Sequence, residues 1–308
     1  MKTTLTLSLV LFTTGSLLAS DFDIRDAKEF KKCVSADAKV EKLASGMKFT
    51  EGPVWVSEGA GYLVFSDIPE NELKRWTRNE GLITYRKPSA NANGNTVDAR
   101  NNLITCEHSG RRVSIEQGSL LKTLVDKYEG KRFNSPNDAV VKSDGTVYFT
   151  DPDYGLGKGV REIEGNYVYR YNPQTKVVTA LVKDFDKPNG LCFSPDEKKL
   201  YIADSGKPKH IRVFNVQPDG TLADGKVFCD IDKGVPDGIR CDSKGRVWSS
   251  AGDGVHIFSP SGALIGKILV PEPPANLCFG GRNGKTLFIT ARTSLYSIPV
   301  AVAGAEFK

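Results

Sequence analysis

The chain has 308 residues, 39% apolar and 26% charged, with a formal net charge of +5. That is the composition of an ordinary globular protein with room for one large domain or two small ones. The basic excess is scattered, and its densest runs, Lys74-Arg75-Trp76-Thr77-Arg78 and Gly110-Arg111-Arg112, are short and isolated, which excludes a clustered nucleic-acid footprint.

In chain order, residues 1–20 read as a secretory signal: one Lys (Lys2), an apolar run, then small residues ending in Ala19 and Ser20. Cleavage there predicts an exported protein, periplasmic or secreted, with residues 21–308 as a single domain. No Cys follows the apolar run, and no later stretch of 18 apolar residues exists, so no membrane anchor is expected. Residues 23–34, Asp-Ile-Arg-Asp-Ala-Lys-Glu-Phe-Lys-Lys-Cys-Val, predict one short helix. Helical periodicity is nearly absent afterwards.

From residue 51 a unit repeats six times. Its copies begin at Glu51, Asn93, Asn137, Asn189, Asp237 and Ala275, spaced 42, 44, 52, 48 and 38 residues apart. Each copy reads as a strand, a turn such as Asp144-Gly145, Lys244-Gly245 or Asn283-Gly284, and a second strand. Further short alternating runs bring each unit to about four strands. Four-stranded units recurring every ~45 residues are the signature of a β-propeller. The prediction is an all-β fold of six blades, each of four antiparallel strands. The strand that closes the circle is expected from residues 36–48.

Six cysteines, at 33, 106, 192, 229, 241 and 278, show no Cys-x-x-Cys spacing, which removes zinc-ribbon and thioredoxin readings. Cys192, Cys241 and Cys278 lie inside apolar strand runs, so buried thiols are expected, with at most one or two disulfides permitted by export.

A propeller's innermost strands line a central channel. The six leading residues should therefore ring one mouth, and the ends of the second strands should face it too: Asp67, Glu107-His108, Asp151 to Tyr154, Asp204, Asp253 and Arg292. Apart from Ala275, the ring offers only carboxylates and carboxamides. Such a set suits Ca²⁺ or Mg²⁺, with Mn²⁺ and Zn²⁺ also possible in oxygen sites. The competing reading is that the Asn-Gly and Asp-Gly steps are turns entering strands. Glu51, followed by Gly-Pro, argues against turns alone. There is no Gly-x-Ser-x-Gly motif. Of the three histidines, His256 is flanked by apolar residues and reads as packing, His210 as surface, and His108, beside Glu107, as a substrate contact.

The motifs "EGPVW", "NSPNDAVV", "PNGLCFSPDEKKLYIAD", "PDGIRCD" and "PEPPANLCFGG…TLFITARTSLY", in that order, resemble the senescence-marker-protein/gluconolactonase/regucalcin-like propellers, most closely the bacterial gluconolactonase branch. The resemblance runs from about residue 40 to about residue 300. It implies a six-bladed propeller with one divalent cation, Ca²⁺ first, held by Glu51, Asn189 and Asp237. Asn137 matches a position that binds metal or substrate. Animal members carry an Arg where this chain has Ser135, and Arg132 is the candidate to replace it. Asn93, Glu107, His108, Arg132, Asn137 and Tyr154 are thus the candidate substrate contacts, and Asp237 the candidate catalytic base. The implied reaction is hydrolysis of a sugar lactone, a small-molecule substrate. The same site would serve another esterase, a phosphotriesterase or a non-catalytic metal- or sugar-binding propeller.

Overall fold

Each repeat folds as an antiparallel sheet whose strands follow chain order. The computed structural model describes residues 21–305; the signal-like segment 1–20 lies outside them. Two strands and one helical turn precede the first blade: β1 (Phe22–Ile24), α1 (Ala27–Phe30) and β2 (Glu41–Ser45). Blade 1 is β3 (Thr50–Val56), β4 (Tyr62–Asp67), β5 (Glu72–Thr77) and β6 (Gly81–Arg86). Blade 2 is β7 (Ala92–Val97), β8 (Leu103–Glu107), β9 (Arg112–Gln117) and β10 (Leu120–Val125), followed by a hairpin of β11 (Lys127–Tyr128) and β12 (Lys131–Arg132). Blade 3 is β13 (Ala139–Val141), β14 (Val147–Asp151), β15 (Asn166–Asn172) and β16 (Val177–Phe185). Blade 4 is β17 (Pro188–Phe193), β18 (Lys199–Asp204), β19 (His210–Val216) and β20 (Leu222–Asp230). Blade 5 is β21 (Ile239–Cys241), β22 (Val247–Ser250), β23 (Gly254–Phe258) and β24 (Leu264–Leu269). Blade 6 is β25 (Pro274–Gly280), β26 (Thr286–Ala291) and β27 (Ser294–Pro299).

The chain closes the circle with β2, which pairs antiparallel with β27 and completes blade 6 (Glu41 opposite Ser297, Ser45 opposite Ser294). This is the strand expected from residues 36–48. The sequence did not announce β1, a fifth strand on the outer edge of blade 5. The expected helix is a single turn, capped by Asp26 Oδ1, which accepts from the N–H groups of Lys28 and Glu29 at 3.0 Å.

The apolar core is divided into six parts, one between each pair of neighbouring blades. Blades 1 and 2 meet through Val54, Val64, Leu73, Ala92 and Leu103. Blades 3 and 4 meet through Tyr148, Val168, Leu191, Leu200 and Ile202. Blades 6 and 1 meet through Phe288, Leu295, Leu63 and Phe65. A blade is covered on both faces, so its inner strands are buried along their length, as β17 and β25 are. All six cysteines are buried, and none is in a disulfide. The buried-thiol expectation is met, and the one or two bridges that export would permit do not form.

Three glycines at the inner strands decide between turn punctuation and another role. Gly94, Gly190 and Gly238 do not have positive φ, so no turn requires them. They let neighbouring blades touch. The Gly94 N–H donates to Asn137 O at 2.7 Å, Gly190 to Asp237 O at 3.1 Å and Gly238 to Ala275 O at 2.8 Å. A Cβ at 190 would stand 2.6 Å from Ile239 N, against backbone that cannot yield. Gly190→Ala is therefore expected to destabilise by about 1–3 kcal/mol through overpacking, read as a lower denaturant midpoint; an unchanged midpoint would show that the inner ring is not closely packed there.

Candidate functional site

The six leading residues stand at the heads of the inner strands, and neighbouring blades lace them together. Glu51, Asn93, Asn137, Asn189 and Ala275 are each 4% exposed, and Asp237 is half-buried. Hydroxyls near the ends of second strands hold the next blade's leading carbonyl: Ser66 Oγ to Asn93 O at 2.6 Å, Thr150 Oγ1 to Asn189 O at 2.9 Å and Ser250 Oγ to Ala275 O at 2.7 Å. The backbone of the ring is thereby fixed, and its side chains are left for other work.

The acids at the second-strand ends are spent on architecture. Asp151 accepts from the N–H groups of Asn134 and Ser135, both at 2.8 Å. Asp204 accepts from Asp186 N and Lys187 N, and Asp67 from Lys48 N and Phe49 N. Each clamps the loop that leads into its own blade. Asp253 is likewise engaged, by His256 Nε2 at 2.7 Å and Lys267 Nζ at 3.1 Å, so His256 is buried within a polar network as well as packed. Glu107, placed by sequence among the substrate contacts, is fully buried and paired with Arg112, Nε to Oε2 at 2.5 Å. Arg132 lies on β12 with Nη2 donating to Gly110 O at 3.0 Å. Neither is hydrogen-bonded to the ring. Ser135 anchors the long loop after β14 instead: its Oγ donates to Pro152 O at 2.6 Å and accepts from Gly155 N at 2.9 Å.

That loop helps build the wall of the mouth. Gly155 lies against the imidazole of His108 so closely that a Cβ would stand 2.6 Å from Nδ1. His108 is 6% exposed, and its Nε2 lies 3.1 Å from Asn93 Nδ2. The amide nitrogen can only donate, so Nε2 accepts and the ring proton of the neutral imidazole resides on Nδ1. Burial lowers the His108 pKa to about 4, which keeps the ring neutral. Tyr154, partly open to solvent, has Lys187 Nζ 5.5 Å from its ring centroid. Desolvation, with the Asp237 charge adding to it, raises its phenol to about 12, so it stays a donor. Asn189 spends its amide nitrogen on Ser205 Oγ at 3.0 Å, which leaves its carbonyl oxygen for a ligand.

Directly beneath the ring lies a set of residues that sequence reading did not single out. Asn276 Nδ2 donates to Glu51 Oε2 at 2.9 Å and to Asp138 Oδ2 at 3.4 Å. Arg240 Nη1 donates to the same Asp138 oxygen at 3.5 Å. The Glu51 Oε2 atom also accepts from Gly52 N at 2.6 Å. Burial pushes the Glu51 carboxyl up to about 7, opposed by the Asn276 amide and helped by the Asp138 charge. Burial, then the charges of Glu51 and Asp138, raise Asp237 well above the carboxylate range. A signal was available: the residue after the leading one is Gly at 52, 94, 190 and 238 but Asp138 and Asn276 in the other two units. Among the described residues no three His, Cys, Asp or Glu side chains gather as a ligand cluster. An ion at this mouth would therefore need the carboxamides of Asn137 and Asn189 beside Glu51 and Asp237. A separate cavity of about 400 Å³ at the far ends of the inner strands, lined by Trp55, Val97, Phe193 and Phe279 among others, holds none of the leading residues.

Comparison with known proteins agrees with the fold. Residues 49–293 match the SMP-30/Gluconolactonase/LRE-like region model. The chain is 33% identical to a gluconolactonase of Zymomonas mobilis, over 86% of this chain and 82% of that one. It superposes on a gluconolactonase from Xanthomonas campestris with a TM-score of 0.86 and 34% identity, covering 91% of this chain and 94% of that one. It also superposes on a calcium-binding regucalcin from Agrobacterium tumefaciens at a TM-score of 0.73, 85% of this chain and 94% of that one; at 21% identity this likeness concerns the fold alone. The chain belongs to the SMP-30/gluconolactonase/LRE-like family.

His108 makes a pH-dependent contribution whose sign follows from its depressed pKa. Between about pH 6.5 and about pH 4 the unfolded chain takes up a proton that the folded imidazole refuses, so folded stability falls as pH falls through that window. Other groups titrate there too, and the raised carboxyls act in the opposite direction. The test is therefore a difference: His108→Gln keeps an acceptor for Asn93 and should remove up to about 3 kcal/mol of acid sensitivity relative to the wild type. Parallel stability–pH curves for the two proteins would contradict the buried neutral imidazole.

Proposed function

We propose that this member of the SMP-30/gluconolactonase/LRE-like family opens a sugar lactone at the channel mouth, with one divalent cation held by Glu51, Asn137, Asn189 and Asp237. The observation that carries the reading is a charge imbalance. Glu51, Asp138 and Asp237 crowd the mouth, and Arg240 is the one cationic side chain paired with any of them among the described residues. With all three ionised, three negative charges against one positive leave a deficit of two; without an ion that crowding shows as raised proton affinity, and a divalent ion would offset it. The oxygen-only donors favour Ca²⁺, with Mg²⁺, Mn²⁺ and Zn²⁺ as further candidates. The gluconolactonase relatives support a carboxylic ester hydrolase acting on a lactone ring.

A bound divalent ion supplies carbonyl polarisation and a more acidic water. The protein's own groups do the rest. Asn93, His108 and Tyr154 form the wall against which the sugar hydroxyls pack; protonated Tyr154 donates, and neutral His108 holds the Asn93 amide in place. Water oxygen bonds to the lactone carbonyl carbon while its proton passes to the Asp237 carboxylate. The ring C–O bond then breaks, and the leaving oxygen takes that proton back, giving the open hydroxy acid. Burial and the neighbouring charges of Glu51 and Asp138 raise the proton affinity of Asp237 in the empty mouth; a bound cation would lower it, leaving a carboxylate that can accept the proton and return it.

We also propose that the protein is exported and that the mature chain starts near residue 20 or 21. The order of Lys2, an apolar run and small residues ending at Ala19 and Ser20 supports a boundary there. N-terminal sequencing of the protein from its native cells should find that start; an intact Met1 in the soluble cytoplasmic fraction would refute it.

Two variants test the chemistry. Asp237→Asn should lose at least ~10²–10⁴-fold in kcat on aldonolactones with the fold retained. Glu51→Gln should bind cation more weakly by calorimetry and recover part of its activity in excess cation. A chelator-treated wild type that binds none of the four cations at millimolar concentration, or hydrolyses lactones equally well without them, would overturn the metal-dependent reading. Turnover of aryl esters or phosphotriesters with none of lactones would reassign the substrate.

A further inference from the structure

The six units depart from their own repeat at three channel positions, and the three departures join in one network. The residue after the leading one is Gly in four units and Asp138 or Asn276 in the others. The residue three after the leading one is uncharged in five units (Val54, Thr96, Val140, Cys192 and Cys278) and is Arg240 in the fifth unit. Where glycine lets blades touch, Asp138 and Asn276 instead place polar side chains between them. Arg240, from blade 5, donates to Asp138 of blade 3; Asn276, from blade 6, joins Asp138 to Glu51 of blade 1. Asn276 Oδ1 accepts from Leu277 N at 2.8 Å, which fixes the amide so that its nitrogen faces both carboxylates. Asp138 is 1% exposed and Asn276 1% exposed.

We infer that Arg240, acting through Asp138, sets the charge of the ion that the mouth accepts. Arg240 is a positioning and selectivity residue: it neutralises one of the three carboxylates at the mouth and, once all three are ionised around an ion, leaves a deficit of two. Buried charges are weakly screened, so a single unit of charge below the ring changes the relative affinity for ions of different valence. Without the guanidinium the site has a deficit of three, which matches a trivalent ion. Without the Asp138 charge the deficit is one. Removing both returns it to two. The inference rests on the cation site proposed above.

The experiment measures calorimetric affinities of the full-length protein for Ca²⁺ and Tb³⁺, ions of similar size and different charge, with Tb³⁺ luminescence as a second signal. The quantity read is the ratio of Tb³⁺ to Ca²⁺ affinity, which cancels a general loosening of the site. Arg240→Met should raise this ratio by about tenfold or more, and Asp138→Asn should lower it by a similar factor. Arg240→Lys should stay near the wild-type ratio. The Arg240→Met/Asp138→Asn double variant should return to it, a non-additive restoration that a merely structural role would not produce. Should Arg240→Met not fold, the Asp138→Asn shift alone decides, since that change keeps size and an acceptor for Asn276. A wild type that binds both ions while the ratio stays constant across the variants would overturn this inference and leave the cation site standing. A wild type that binds neither ion would overturn this inference; the cation site falls with it when Mg²⁺, Mn²⁺ and Zn²⁺ do not bind either.

Discussion

Six inner strands can meet around one axis only if almost nothing protrudes between them, and this closeness governs the rest of the molecule. Gly94, Gly190 and Gly238 do not have positive φ, and their N–H groups reach the next blade's leading carbonyl at 2.7–3.1 Å. These N–H groups, with the Ser66, Thr150 and Ser250 hydroxyls, anchor the leading carbonyls of blades 2 to 6 to the preceding blade, so the leading residues fall into one ring. The apolar cores between blades then hold the sheets face to face. Closure by β2 on blade 6 ties the first strands to the last and leaves the ring without a gap in the chain's own pairing.

The same closeness gives the mouth its electrostatic character. Carboxylates that would be ordinary on a surface are brought together where water is scarce, and Glu51 and Asp237 hold protons far more tightly than free carboxyls do. Replacing paired carboxylates with apolar side chains is often the more stable choice, so three acids with one guanidinium is an arrangement that stability alone does not explain. The cation proposed for the mouth would. The acids on the ends of the second strands follow a different logic. Asp151 and Asp204 receive backbone N–H groups and are satisfied without any ligand. Two sets of acids at one mouth thus separate by their partners into clamps and candidate ligands.

The fold was legible in the sequence because it is written six times: period, strand pairs, turns, the helical turn near residue 27 and the closing strand were all readable. The strand β1 was not, since three residues carry no periodicity. Within the site, Glu51, Asn137, Asn189 and Asp237 follow from repeat position. Glu107 and Arg132 were placed near substrate by proximity in sequence, and the structure gives them to Arg112 and to the Gly110 carbonyl. Partners far along the chain decide such cases, and a single sequence does not reveal them. Asp138, Asn276 and Arg240 were visible as departures from the repeat, yet their meaning depends on contacts across blades, 102 and 138 residues apart in the chain.

The account depends on an ion at the head of the channel, and the most direct measurement is a crystal structure of the mature protein grown with one of the candidate cations, located by anomalous scattering. The expected result is a single ion within ~2.0–2.6 Å of oxygens from Glu51, Asn137, Asn189 and Asp237, with Asn276 still hydrogen-bonded to the other Glu51 oxygen. An ion bound elsewhere, or a mouth filled only by water with the carboxyls of Glu51 and Asp237 hydrogen-bonded to each other, would contradict it.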